Sequence, residues 1–319
     1  MGLTGQESRT NTGAGRKMKP VEDRGLRAWW SRSERKVLPY VFISPFYIIF
    51  IVFSVGPLIY ALYLSLHRWP GTGPMRHVGL GNYTYLAGDP VFLKSLWNTV
   101  YYAIGAFLFI LPLALVLALL INSTLVRLKS LFRIGYFLPI LTSTVAATIM
   151  FLLIFNNEFG LINQGLALLG IPALKWLDEE LVKISVLAVA TWRYTGINVL
   201  YFLTGLQSIP PELYEAAQVD GAGSWAQFRY ITIPQLRPIA LFVGVVTMIG
   251  SFQLFAEPML LANGGPNDAS LTLANYLYRM GFTNAKLGYG SAIGWVLALI
   301  IFGLSLIQLY LFGAFRKDD

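Results

Sequence analysis

The chain has 319 residues, 55% of them hydrophobic and only 13% charged, against about 25% charged in ordinary soluble domains. That composition excludes a soluble globular protein, and the absence of cysteine excludes disulfides, thiolate chemistry and Cys-ligated metals. The net charge of +8 would suit a nucleic-acid-binding protein, but Arg9, Arg16, Lys17, Lys19, Arg24, Arg27, Arg32, Arg35 and Lys36 all precede the first apolar stretch, the charge pattern of a cytoplasmic N-terminus with no nucleic-acid partner.

In chain order, residues 1–36 read as a disordered basic cytoplasmic tail with little to bury. Trp29 and Trp30 near its end suit the headgroup layer. The first apolar span, Pro39 to Leu66, is too long for the core of a signal peptide and lacks a small-residue cleavage site, so it is expected as an uncleaved helix kinked at Pro45 and Pro57. Five further spans are expected at Asn98 to Ile121, Gly135 to Phe155, Ile184 to Leu206, Ile239 to Leu261 and Ser291 to Phe312. Each is near the ~20 residues that cross the hydrocarbon core. The fold class is all-α and polytopic, with 37–319 as one transmembrane domain.

An even number of spans puts both termini on one side. The basic residues agree: Arg127, Lys129, Arg133, Arg229, Arg237, Arg316 and Lys317 join the N-terminal cluster inside, leaving Arg68, Arg76, Lys94, Lys175, Lys183, Arg279 and Lys286 outside. The expected location is a bacterial cytoplasmic (inner) membrane, multi-pass, with cytoplasmic N- and C-termini. His67 and His77, beside a Trp-Pro-Gly turn, imply no metal site. Gly290 and Gly294 permit close approach of two helices.

Between the fourth and fifth spans, residues 207–238 are too polar and too rich in turn residues to cross a bilayer. Pro210 and Pro211 suit the first turn of a helix, where a missing N–H costs nothing. Asp220-Gly221 breaks that helix, because glycine takes positive φ without steric cost. Ser224 and Gln227 have capping-box spacing, and Trp225, Phe228 and Ile231 follow along one face of a second short helix that Pro234 is expected to end. The product is a helix-turn-helix with an apolar ridge, two small alanines and the acidic Glu215, shaped for another protein to grip.

Catalytic chemistry is missing. No G-x-x-x-x-G-K-[ST] phosphate cradle, G-x-S-x-G elbow or H-E-x-x-H helix occurs, so energy must come from a partner, and neither catalytic residues, cofactor nor metal is assigned to this chain. A polytopic membrane enzyme would need carboxylates at a span end, where only Glu257 and the loop pair Glu179-Glu180 come close. A membrane anchor or scaffold is the other alternative class.

Glu215-Ala216-Ala217, Asp220-Gly221 and Ile231-Thr232-Ile233-Pro234 together resemble the EAA motif of bacterial ABC importer permeases, with Ile233 in place of the family's usual leucine. Val78-Gly79-Leu80-Gly81-Asn82-Tyr83, Phe137-Leu138-Pro139, Gly205-Leu206-Gln207-Ser208-Ile209-Pro210 and Asn263-Gly264-Gly265-Pro266 extend the resemblance to the carbohydrate-type importers, and to the maltose/glycerol-phosphate-type first permease in particular. The resemblance implies a sugar importer subunit forming half of a translocation pathway by alternating access, with a permease for another solute such as glycerol phosphate as the alternative. Its implied partners are a second homologous permease, two copies of a cytoplasmic ABC ATPase carrying ATP and Mg2+, and an extracytoplasmic solute-binding protein.

The same resemblance implies site residues. Glu215, Ala216, Ala217, Asp220, Gly221, Ile231 and Pro234 would couple to the ATPase. Arg193, Tyr194, Thr144, Thr247, Gly250, Ser251 and Leu254 fall at positions lining the family's sugar passage, and several differ in type from the maltose-type residues, implying a substrate other than maltose. A charge inside a span usually faces a cavity or a partner, so Arg193 has two readings: a substrate ligand, or a structural group that pairs with a carboxylate such as Glu257 or snorkels to the outer surface. Asn198 and Gln253 equally suit hydrogen bonds between helices.

Overall fold

The computed structural model describes residues 26–123 and 129–312. Arg127, Arg316, Lys317 and the basic residues before 26 lie outside the described residues. Among the described residues, five apolar helical segments are long enough to cross a membrane, at Val37–Ser65, Pro90–Asn122, Val182–Gln207, Ser224–Ala262 and Leu287–Leu311, and a bent pair, Ile134–Leu141 with Thr144–Ile154, makes a sixth if it is one span. The all-α, six-span architecture is thus present, with differences that have physical causes.

Two compact units divide at Leu58. Helix α1 (Leu26–Phe50), in the first, passes through a wide π-turn at Ile51–Val55 into α2 (Gly56–Ser65), within which the division falls. Helix α1 starts within the expected tail, so residues 26–36 are helical. Leu26 to Lys36 contains no glycine or proline and is rich in good helix formers.

Three of the prolines are absorbed by a recurring device. Pro57, Pro112 and Pro234 each stand two residues after a π-turn, at Ile51–Val55, Ala106–Ile110 and Phe228–Thr232. In each turn an N–H reaches the carbonyl five residues back, from Gly56 to Ile51, Leu111 to Ala106 and Ile233 to Phe228. The widened turn shifts the preceding carbonyls away from the incoming pyrrolidine ring, so the helix continues where a regular ladder would clash. Pro234 therefore does not end the second short helix of the 207–238 loop as expected. Helix α12 runs on from it into the membrane.

After α2 come a short hairpin, β1 (His67–Arg68) against β2 (Arg76–His77), and then α3 (Gly81–Ala87). Asp89 accepts hydrogen bonds from the N–H groups of Val91 (2.9 Å) and Phe92 (3.4 Å), capping α4 (Pro90–Gly105) eight residues before the expected span start. The hydroxyls of Tyr276 and Tyr289 also donate to Asp89. Burial pushes this carboxyl up, but the four hydrogen bonds win and hold it below its ordinary value. The segment continues through α5 (Leu111–Asn122).

The third span is broken rather than straight. Helices α6 (Lys129–Leu141) and α7 (Thr144–Ile154) meet at 103°. Pro139 removes a ladder donor, and Ser143 adopts an extended ψ of 129°. A break at membrane depth must satisfy its freed carbonyls internally. The Arg193 guanidinium donates to the Thr142 carbonyl at 3.3 Å.

After α8 (Leu161–Leu168) comes α9 (Val182–Gln207), the most deeply buried span. Its glycines admit neighbours closely. A Cβ on Gly196 would overlap the Tyr136 backbone of α6, and one on Gly205 would lie 2.8 Å from Ile239. The loop at 207–238 holds α10 (Pro211–Val219) and α11 (Ser224–Gln227), and α12 (Ile233–Phe252) and α13 (Ala256–Ala262) follow. A loop with positive φ at Asn263, Gly264, Gly265, Asn267 and Asp268 leads to α14 (Leu273–Tyr278), and the last span is α15 (Leu287–Leu311). On α15, Gly290 packs against the Gly281 backbone, the close approach that the glycine spacing foretold.

Candidate functional site

Two stripes of side chains cross at the middle of the second unit. On α9, Ala190, Tyr194, Ile197, Asn198 and Tyr201 recur at helical spacing, and on α12 Val246, Thr247, Gly250 and Ser251 do the same, followed by Leu254. With Tyr102 and Ala106 from the second span they enclose a cavity of about 280 Å³ whose lining contains no charged side chain. Thr247 donates to Asn198 Oδ1 at 3.1 Å, and Asn198 Nδ2 donates to the Tyr194 carbonyl at 2.8 Å. Ser251 donates back to the Thr247 carbonyl at 2.7 Å. These bonds fix the polar face of the cavity while leaving oxygen lone pairs for a guest.

Five of the residues expected in the substrate passage meet here: Tyr194, Thr247, Gly250, Ser251 and Leu254. Arg193 and Thr144 do not line this cavity. Arg193 is one residue from Tyr194, so about 100° of helix rotation turns it away. Its Nε stands 3.6 Å from Glu257 Oε1, an ion pair too long for a hydrogen bond, and the Glu257 side chain is only 2% exposed. Glu257 Oε1 also accepts from the Tyr194 hydroxyl at 2.9 Å. Thr144 begins α7 beyond the bend, where its carbonyl accepts from Thr148 at 2.7 Å.

Asn198 both bridges helices and lines the cavity. Tyr102 and Tyr201 were not anticipated. The i, i+4, i+7 series Tyr194, Asn198, Tyr201 was a readable signal for the latter, whereas Tyr102 arrives from a distant span and left none.

The loop between the fourth and fifth spans has the expected helix-turn-helix form. Gly221 has φ +79°, and the Ala222 N–H reaches the Ala217 carbonyl at 2.8 Å, closing α10 in a Schellman-like turn. Helix α11 starts at Ser224 with Gly223 as its cap, and Gln227 donates to the Ala222 carbonyl at 3.0 Å, so the expected capping box is absent. The Tyr214 and Thr232 hydroxyls, 3.0 Å apart, tie the two helices together, with Ile231 and Tyr214 against the core. Glu215, Ala216, Asp220 and Pro234 are exposed and Ala217 is half-buried. Val219 and Trp225, 89% and 75% exposed, form an uncovered apolar ridge beside them.

A bundle of broken and continuous spans around a neutral cavity, with an exposed helical loop of this form, defines a transport subunit. The chain matches over residues 37–317 the family of binding-protein-dependent transport system inner membrane components, and it belongs to that family. It is a multi-pass inner-membrane permease subunit, not an enzyme. It is 41% identical to the arabinooligosaccharides transport system permease protein AraP of Bacillus subtilis (strain 168), covering 94% of this chain and 96% of that one. Identity to the lactose transport system permease protein LacF of Rhizobium radiobacter is 35%, over 85% and 92% of the two chains. A solved bacterial ABC transporter importing the acidic polysaccharide alginate has the same fold, with a TM-score of 0.79, 24% identity, and coverage of 91% of this chain and 100% of that one.

Proposed function

We propose that this chain is one of two homologous permease subunits of an ATP-driven sugar importer, with residues 37–319 forming half of the pathway and 207–238 docking onto a cytoplasmic ATPase. The observation that carries the reading is the cavity at the crossing of α9 and α12, which gathers Tyr194, Thr247, Gly250, Ser251 and Leu254 around about 280 Å³. A sugar offers hydroxyls to the Tyr, Thr, Ser and Asn groups and an apolar ring face to Tyr and Leu. The named relatives transporting arabinooligosaccharides and lactose support that substrate class.

A relative of 34% identity is an sn-glycerol-3-phosphate permease. A phosphate in this cavity would meet no cation, because Arg193 is engaged by Glu257, and a buried uncompensated anion is costly. A neutral sugar is therefore the better fit.

In this reading both termini and the Glu215 loop face the cytoplasm. Two copies of an ATPase bind ATP and Mg2+, and their closure pushes on Glu215, Ala216, Ala217, Asp220, Gly221, Ile231 and Pro234. The exposed Val219 and Trp225 ridge gives that partner an apolar anchor. An extracytoplasmic binding protein delivers the solute, and the cavity opens alternately to either side.

The test is Gly250→Leu. A Cβ there meets nothing within 4 Å, so the variant is expected to fold and to be stimulated by the binding protein while sugar uptake falls at least about tenfold from the obstructed cavity. Wild-type uptake in a normally expressed variant would remove this cavity from the pathway.

A further inference from the structure

The hairpin after the first span carries a charge pattern that its own fold does not explain. Arg68 and Arg76 are directly paired across β1 and β2. Like charges opposite each other on a strand pair are destabilising, and among the described residues no carboxylate forms an ion pair with either. Arg68 also lines a groove of about 540 Å³ shared with Lys286 at the start of the last span. Lys286 likewise has no ion-pair partner among the described residues. No carboxylate lines the groove. The nearby anion, Asp89, is buried under Tyr276 and Tyr289 and unable to neutralise the rim.

The groove is also stiff. Trp69, Tyr85 and Tyr289 form its walls, with the Tyr85 and Tyr289 rings edge-to-face at 5.3 Å. Asn82 donates to the Ser65 and His67 carbonyls at 2.7 and 3.0 Å, and the Gly288 N–H donates to the Trp69 carbonyl at 3.3 Å, binding the hairpin to the last span. Ala285, also in the lining, holds φ at +49°, a conformation that costs a non-glycine residue and persists only where surroundings impose it. Like charges without ion-pair partners among the described residues, an exposed Tyr85 ring backed by the half-buried Trp69 and the buried Tyr289, and a strained rim in one pre-formed groove describe a recognition surface.

We propose that this groove is the docking cleft for an acidic, surface-exposed segment of the extracytoplasmic binding protein, with Arg68 and Lys286 as the paired cationic jaws and Arg76 as a steering charge behind them. The proposal rests on the functional reading above, in which this end of the first and last spans faces outward. The family's dependence on a binding protein supplies the partner. Charge complementarity supplies its chemistry: carboxylates answering cations that form no ion pair among the described residues. Contacts of this kind set encounter rate and register more than they set the chemistry that follows.

The experiment uses the full complex in nanodiscs, with ATP hydrolysis measured against the concentration of its purified, sugar-loaded binding protein. Arg68→Glu with Lys286→Glu is expected to raise the half-saturating concentration about tenfold at low salt, with the Gln pair shifting it less in the same direction. The wild-type half-saturating concentration should rise steeply with salt and that of the Glu pair hardly at all. Coincident curves for variant and wild type would overturn the docking site. So would a defect that appears only with phosphatidylglycerol in the nanodisc, which would assign the groove to lipid headgroups. A wild-type complex unmoved by any binding protein would overturn the functional reading and this site with it, whereas a stimulated wild type with unshifted variants overturns the site alone.

Discussion

Removing either member of the Arg193–Glu257 pair should damage folding before it damages recognition. The two side chains are 11% and 2% exposed, and Nε lies 3.6 Å from Oε1. At an effective dielectric of about 20, charges at that separation attract by about 4–5 kcal/mol, in line with the roughly 3–5 kcal/mol lost when one partner of a buried pair is deleted. Arg193→Ala does more, because the guanidinium also holds the Thr142 carbonyl at the break of the third span. Glu257→Gln should be the mildest change, keeping an acceptor for the Tyr194 hydroxyl at 2.9 Å. The double change Arg193→Met with Glu257→Met strands no charge and should be more stable than either alanine variant, with a coupling energy of about 2–3 kcal/mol across the cycle. The assay is the fraction of complex surviving heating in detergent as a single gel-filtration peak, alongside sugar uptake. An Arg193→Ala protein of wild-type abundance and heat resistance that fails only in uptake would refute the structural bracket and return Arg193 to the substrate.

The coupling turn gives a second prediction: Gly221→Val forces a β-branched residue to φ +79°, costing about 1–2 kcal/mol locally, and should abolish uptake without lowering membrane levels, while Gly221→Asn is milder because asparagine tolerates that region. Glu215→Lys should weaken association with the ATPase, read as loss of its co-purification. Gly196→Leu should prevent accumulation of the protein in membranes, because even a Cβ overlaps the Tyr136 backbone. Asp89→Asn should destabilise most near neutral pH. The lowered carboxyl contributes stability that is complete above the ordinary carboxylate value and fades as pH falls through the folded one, so the gap between wild type and variant, measured by heat resistance, should narrow below about pH 4.

The spans, their number and the loop at 207–238 were legible because hydropathy, the distribution of arginine and lysine, and turn chemistry act locally. A window of apolar residues crosses a bilayer whatever its neighbours do, and Gly221 takes its positive φ from the turn alone. That Tyr194, Thr247, Gly250, Ser251 and Leu254 line one cavity was legible only through the family resemblance, which placed them together before any contact between α9 and α12 was known. Three features were decided only in the tertiary structure. Whether a proline breaks a span or passes through it is one: Pro234 follows a π-turn and continues, and Pro238 lies within the same helix, whereas Pro139 precedes a break whose carbonyl Arg193 satisfies from another helix. The role of Arg193 followed from the rotation of α9 and the arrival of Glu257 from 64 residues away, a separation at which sequence spacing no longer constrains contact. The capping box at Ser224 failed because Gly223 took the cap and Gln227 found the Ala222 carbonyl instead. For Arg193 contacts from distant residues made the difference, whereas at Pro234 and Ser224 the choice lay between locally comparable hydrogen bonds.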